Sequence, residues 1–430
     1  MKMMDMTASQ AQVLTAPYAG EITAQQVLDI SVSFGAGADA ASFTDILRDV
    51  RQRGDGVVIV NMASDDKDAP VSAFLAQTQP EKLKAAFAAV LEASGASEAY
   101  LVKTKDIDLE LDGAKSVVTD RSLVLREESA LCHIIKTGEL RSAPLEKEFI
   151  SEGMDGRPTL IADAQTLVRV YAAAGDNYRE TRLMMVRVPG AMQFAEFLTG
   201  TPLSKVIEEC GQKAEKSILL GGLSGLFVDK GDLDSFKVDL SGKWDFVGVY
   251  GAKDCMASLT ASLADRAREE TCQKCVLCRE GTWHFSNIFG QVAAGKAKKE
   301  DLAMVGDIGP LIHIGAFCSF GQQMAQLFVS SVETNRDELE AHFIRKKCPA
   351  GVCAAFSKPV IDPSKCTGCT DCLDVCDEDA ITGKKKFIHM IDPDMCENCG
   401  KCAEACEEGA IVPQDGTIRV PKKLVRVGKF

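Results

Sequence analysis

Hydrophobic and polar positions divide the chain into short blocks of differing period. The run "VVIVN" at 57–61 has the unbroken apolar character of a buried strand. Residues 80–102, "PEKLKAAFAAVLEASGASEAYLV", predict a helix, a glycine turn and a strand. From residue 184, "MMVRVPGAMQFAEFL" alternates with the period of strands, and a helix opens at "PLSKVIEECG" (202–211). "SILLGGLSGLFV" (217–228) follows, with Gly221, Gly222, Ser224 and Gly225 in its middle, and the whole block reads as a small mixed α/β module. Residues 282–312 return to helical periodicity. Beyond 360 only short apolar pairs remain, such as "AI" at 380–381 and 410–411, which suit very short strands. No apolar run approaches the roughly 18 residues of a membrane span, and the first residues lack the apolar segment of a secretion signal. The expected location is the cytoplasm.

Composition narrows the picture. The chain has 430 residues, enough for two to four domains with their own cores. A net charge of −13 argues against non-specific nucleic-acid binding and against an anionic membrane surface. The basic end "RVPKKLVRVGKF" (419–430) reads as a solvated terminus, with contact to an acidic partner as the alternative. Cysteine is the outlier. Of 17 cysteines only Cys132 and Cys210 precede residue 250. Clustered C-x2-C spacing in a chain without a secretion signal reads as metal ligation, not disulfides.

Three constellations stand out. "CTGCTDCLDVC" (366–376) and "CENCGKCAEAC" (396–406) repeat the spacing C-x2-C-x2-C-x3-C. In that pattern three cysteines hold one [4Fe-4S] cluster and the fourth crosses to the other. The expected sets are Cys366, Cys369, Cys372 and Cys406, and Cys396, Cys399, Cys402 and Cys376. The proline that usually follows the fourth cysteine is Asp377 in one repeat and Glu407 in the other, acids that would lower both potentials. The second constellation is "CQKCVLC", with Cys272, Cys275 and Cys278; Cys318 in "HIGAFCSFG" is the nearby candidate for a fourth ligand. A three-cysteine zinc site is its alternative. The third groups His342, Cys348 and Cys353 in "HFIRKKCPAGVC", soft ligands suited to tetrahedral zinc with a fourth ligand from elsewhere. Read plainly, these are also consistent with reduced structural cysteines and a surface histidine. His133, His284, His313 and His389 are isolated and suggest no role.

The order C-x-x-C-x-x-C-R-E-G, helical spacer, lone cysteine resembles the NADH-oxidising flavoprotein subunit of respiratory complex I. With a two-cluster ferredoxin appended, the chain also resembles the β subunit of NAD-linked, electron-bifurcating iron hydrogenases and formate dehydrogenases. In those subunits a D-x-C-M segment precedes the bundle, and "KDCM" (253–256) matches it, which assigns Cys255 as the fourth zinc ligand. The resemblance implies an α/β chain in five parts: a Rossmann-like domain over 1–180, a β-grasp domain over 181–255, a helical bundle with one [4Fe-4S] cluster over 256–345, a linker with zinc ligands over 346–360, and a two-cluster ferredoxin-like α+β domain over 361–430.

In this family the first part holds FMN and stacks NADH on it, through a glycine-rich loop whose backbone approaches phosphate. Here the corresponding stretch keeps Gly35 and Gly37 but places Asp39 among them, where a carboxylate repels phosphate; the two glycines also read as an ordinary turn. Asn61 is kept in the next element, with its acids displaced to Asp65, Asp66 and Asp68. "LREESAL" keeps Glu127 and Glu128 but puts Arg126 where the family has glycine, and Asp163 and Gln165 replace an Asn and a Glu. Concerted replacement around one ligand predicts a degenerate site without FMN or NADH. The expected function is an electron-transfer component of a multi-subunit oxidoreductase, relaying electrons through three [4Fe-4S] clusters. The resemblance implies a hetero-oligomer, with partners such as a catalytic subunit, a [2Fe-2S] thioredoxin-like subunit or a soluble ferredoxin. The rival reading is an FMN-dependent NADH oxidoreductase retaining Asn61, Glu127 and Glu128 as binding groups. A third is a structural adaptor whose clusters only hold it together.

Overall fold

The computed structural model describes residues 20–30, 43–142, 153–175, 178–293, 295–356, 358–414 and 418–430. Gly35, Gly37 and Asp39 lie outside the described residues. The chain forms two compact units, one of Met1–Gly251, Ser262–Ser286 and Ala303–Arg336, the other of Ala252–Ala261, Asn287–Leu302 and Asp337–Phe430.

In the first unit, β1 (Val57–Asn61), β2 (Glu98–Lys103), β3 (Lys115–Val118) and β4 (Thr159–Asp163) form a wholly parallel sheet in the order β3-β2-β1-β4. All five residues of β1 are buried, as expected of an unbroken apolar run in a central strand. Parallel neighbours need crossovers, and the helices Val71–Thr78 and Pro80–Ser94 supply the one from β1 to β2. Proline opens the second of these, where its missing N–H costs nothing, and Gly95 closes it at φ +59°. The helices Glu128–Thr137 and Ala164–Ala174 flank β4 in sequence.

A second sheet follows in the same unit: β5 (Thr181–Val188), β6 (Ala191–Leu198), β7 (Ser217–Leu220), β8 (Leu226–Val228) and β9 (Phe246–Tyr250), ordered β6-β5-β9-β7-β8. β9 pairs parallel to β5 and antiparallel to β7, while β5–β6 and β7–β8 are hairpins. Met184, Val186, Phe197, Leu203, Val206, Trp244 and Val247 fill the core between this sheet and the helix Leu203–Glu209. The glycines between β7 and β8 answer to space. A side chain at Gly225 would meet the Leu220 carbonyl oxygen at 1.7 Å, and one at Gly222 the Asp66 carboxylate at 2.6 Å. The helix Ser319–Thr334 packs on β8, its Ser330 hydroxyl accepting the Phe227 N–H at 3.0 Å.

The second unit contains the helix Arg336–Phe343 from Asp337 onward and the cysteine-rich end of the chain. There β10 (Pro359–Ile361) pairs antiparallel with β13 (Ile411–Pro413), and β11 (Ile381–Thr382) with β12 (Met390–Ile391). The apolar pairs at 380–381 and 410–411 thus do lead short strands, and Ile381 and Ile411 join Cys366, Cys372 and Cys402 in one core. The charged side chains of the basic end are exposed, while its backbone is paired. Ile388 N–H donates to the Val425 carbonyl at 2.9 Å, and Val427 N–H to that of Lys386 at 3.1 Å. Valines at 425 and 427 give the tail enough strand character to pair with the backbone before β12.

Candidate metal centres

Cys272, Cys275 and Cys278 straddle the start of the helix Val276–Ala293, and Cys318 is the N-cap of Ser319–Thr334. Two helix starts, with their unsatisfied N–H groups, therefore meet at these thiols. Phe317 N–H donates to Cys275 Sγ at 3.4 Å, and the Thr271 hydroxyl lies 3.4 Å from Cys278 Sγ. Burial pushes the Cys278 thiol up to about 11 and that of Cys318 to about 12; the charges of Cys278 and Cys272 also act on Cys318. Glu127 is a further neighbour. Its carboxylate accepts the Ser319 N–H at 2.6 Å and adds negative charge beside Cys318. No local signal points to this contact, since the two residues are 192 positions apart.

The eight cysteines of the repeats sort into two cavities. One, of about 210 Å³, is lined by Cys376, Cys396, Cys399 and Cys402. The other, of about 10 Å³, is lined by Cys366, Cys369, Cys372, Cys406 and His389. Each repeat sends its last cysteine to the other's cavity. The loops bend through left-handed residues, Gly368 at φ +70° and Asn398 at φ +60°. A side chain at Gly368 would meet the Phe387 backbone at 2.7 Å, whereas Asn398 turns its N–H to Cys396 Sγ at 3.3 Å. His389, which looked isolated in sequence, is buried with Nδ1 3.2 Å from Cys372 Sγ. Of the acids following the fourth cysteines, Asp377 forms an ion pair with Lys401.

Cys255, His342, Cys348 and Cys353 are all buried, and their ligand atoms lie within 4.8 Å of one another. Among the described residues no other group of three or more Cys, His, Asp or Glu is drawn together for a single ion. His342 Nε2 is 3.3 Å from Cys255 Sγ and 3.6 Å from Cys353 Sγ, while Nδ1 donates to the Glu338 carbonyl at 2.8 Å. That bond fixes the ring so that Nε2 faces the sulfurs. Ser258 backs the thiols, its N–H 3.4 Å from Cys255 and its hydroxyl 3.1 Å from Cys353. Hydrogen bonding from Cys353 pulls the Cys255 thiol down to about 3, and Cys255 in turn pushes Cys353 up. Burial resists charging His342, yet the bonds to Cys255 and Glu338 raise it to about 9. A cation bound here would require the thiols and the imidazole Nε2 to give up their protons.

Open parallel sheets bind ligands where the strand order reverses, here beyond the ends of β1 and β4 at Asn61 and Asp163. The polar residues there have protein partners. Asn61 Nδ2 donates to the Leu125 carbonyl at 2.9 Å. Asp66 accepts from Leu223 N–H at 3.0 Å and from Arg266 at 2.6 Å, and Arg266 also pairs with Asp68. Asp65 accepts Ser72 N–H at 2.6 Å, and burial, with Asp245 nearby, pushes it up to about 7. Arg126 bonds Asp245 at 2.8 Å and the Ser64 carbonyl at 3.1 Å. Asp163 caps the helix Ala164–Ala174 through Thr166 N–H at 2.6 Å, and Gln165 accepts Leu183 N–H at 3.0 Å. Glu128 is the first residue of its helix.

No helix among the described residues is long and apolar enough to cross a membrane. Residues 258–342 match the NADH-ubiquinone oxidoreductase-F iron-sulfur binding region, and residues 365–410 a 4Fe-4S dicluster domain. The chain is 35% identical over 203 residues to the NADP-reducing hydrogenase subunit HndC of Solidesulfovibrio fructosivorans, covering 44% of this chain and 41% of that one. It is 30% identical over 121 residues to an NADH-quinone oxidoreductase subunit of Streptomyces coelicolor, covering 28% and 24%. These matches span less than half the length of either relative. A solved NAD+-reducing [NiFe]-hydrogenase in the H2-reduced state superposes with a TM-score of 0.64 at 20% identity, over 74% of this chain and 62% of that one, a likeness of fold. The resemblance read from the cysteine order is borne out, and the chain carries two iron–sulfur binding regions.

Proposed function

We propose that this relative of the NADH-oxidising subunits of complex I and of NAD-reducing hydrogenases is an electron-relay subunit of a multi-subunit oxidoreductase, with three [4Fe-4S] clusters, one zinc and no flavin of its own. The observation that carries the reading is the sorting of eight repeat cysteines into two cavities of four, each drawing one thiol from the other repeat. Cys272, Cys275, Cys278 and Cys318 would hold the third cluster. Bound clusters of this kind accept and give up single electrons. The chain's own part is to supply thiolates, exclude water by burial and set potentials with neighbouring charges and N–H donors. Cys255, His342, Cys348 and Cys353 would hold zinc. Their single-ion spacing and softness fit tetrahedral Zn, whose role is to fasten the segment before the ferredoxin-like part.

The first sheet and its helices would be the degenerate Rossmann-like domain, and the β6-β5-β9-β7-β8 sheet the β-grasp domain. What supports a flavin-free site is that Asn61, Asp66, Arg126, Asp163 and Gln165 direct their hydrogen bonds to protein partners. The partners would be a subunit bearing the catalytic site, a [2Fe-2S] thioredoxin-like subunit, or a soluble ferredoxin. The test is iron content and low-temperature EPR of anaerobically reconstituted, dithionite-reduced chain. Cys318→Ser should lose about four of about twelve irons and one signal, leaving the other two clusters intact. Unchanged iron in that variant, or clusters that dithionite fails to reduce, would overturn the relay.

A further inference from the structure

The tail and the segment before β12 build a basic surface that neither shows alone. Phe387 and Arg426 form an isolated antiparallel bridge, and Lys429 N–H donates to the Arg426 carbonyl at 3.0 Å. The Phe387 ring carries Lys384 Nζ 4.4 Å from its centroid and the Arg426 guanidinium at 5.8 Å. Lys384, Lys385, Lys386, Arg426 and Lys429 are all exposed. This surface adjoins a cluster-binding loop, since Lys386 N–H donates to the Gly368 carbonyl at 3.0 Å and the next residue is the exposed Cys369. Exposed acids also stand by this loop and its cavity, Asp371 and Asp374 on the short helix that carries Cys372 and Glu408 in the lining. The other cavity is rimmed by Asp377, Glu378 and Glu397, with Lys401 in its lining and Lys358 bonded to the Cys396 carbonyl at 2.6 Å. The two ends of the module thus differ in sign within a chain of net charge −13.

We propose that the surface formed by Lys384, Lys385, Lys386, Arg426 and Lys429 docks a small acidic electron-transfer protein, and that one electron passes between it and the cluster site at Cys369. The proposal rests on the reading that Cys366, Cys369, Cys372 and Cys406 hold a cluster. The step moves one electron, oxidising one protein's centre and reducing the other's, with no atom or proton transferred. An acidic partner suits because net charge alone would repel it, so only a local positive surface can guide it to this end. Pinning of the tail by backbone pairing holds Arg426 beside the lysines without further ordering on association.

The experiment is stopped-flow electron exchange between the cluster-loaded full chain and a reduced acidic two-[4Fe-4S] ferredoxin, over a range of ionic strength. The second-order rate should fall as salt rises, the signature of attraction; repulsion by net charge would make it climb. Lys384→Glu/Lys386→Glu/Arg426→Glu should slow exchange about tenfold at low salt and converge with the parent at high salt. Lys205→Glu/Lys213→Glu/Lys237→Glu makes the same change in net charge elsewhere and should stay within about twofold. A rate that climbs with salt in the parent chain overturns the docking surface without reference to any variant. So does equal slowing by both variants, or short single-stranded DNA that binds the surface and is lost on charge reversal while exchange is untouched. Iron and EPR on the same samples separate the two levels: missing C-terminal clusters sink the relay, whereas intact clusters with the wrong salt dependence sink only the docking surface.

Discussion

A thiolate bound to iron carries no proton, so with Cys372 ligated as proposed, the ring nitrogen 3.2 Å from its sulfur is the donor. That makes His389 Nδ1 the proton donor at this sulfur. Burial lowers the ring's tendency to take a second proton. An N–H donated to a cluster sulfur stabilises the added electron and raises the potential. No histidine lines the other cavity. His389→Ala should therefore lower the midpoint potential of one C-terminal cluster and leave the other two unmoved, read by EPR-monitored redox titration. An unmoved potential, or both C-terminal clusters moving together, would contradict the assignment. The cysteines were legible from spacing alone because cluster geometry dictates it. His389 was not, because a hydrogen bond across 17 residues follows no fixed interval.

Among elements, the loop after β1, the turn between β7 and β8 and the helix Met256–Glu270 meet at Asp66. Its carboxyl is almost fully buried, and Gly222 leaves room for it. Burial would raise the acid, but Arg266 and the N–H donors outweigh it and hold it below the usual carboxylate range. Its stabilising contribution is then complete above the unfolded carboxyl pKa near 4 and is lost as pH falls through the still lower folded value. Arg266→Ala strands a buried charge and should cost about 3–5 kcal/mol in denaturant unfolding at neutral pH. Adding Asp66→Asn should recover most of it; a single variant as stable as the parent would contradict the pairing. The helix Pro80–Ser94, its glycine stop and β2 followed from local signals. The insertion of β9 between β5 and β7 did not, because long-range pairing leaves no periodic trace. Asn61, read from sequence as kept from a ligand site, and Gln165, read as a replacement there, bond loops and strands of their own unit.

At the scale of the whole molecule, the relay proposed above would be an α/β scaffold related to NADH-oxidising subunits, with its chemistry on its cysteines. A cluster carrier and a flavoprotein differ in composition, whatever their shared fold. The direct measurement is flavin, iron and zinc content on one sample of anaerobically purified, reconstituted full chain. A flavin-free relay should give about twelve irons and about one zinc per chain with no stoichiometric flavin. Near-stoichiometric FMN beside the same iron would contradict it and make NADH the first substrate to test.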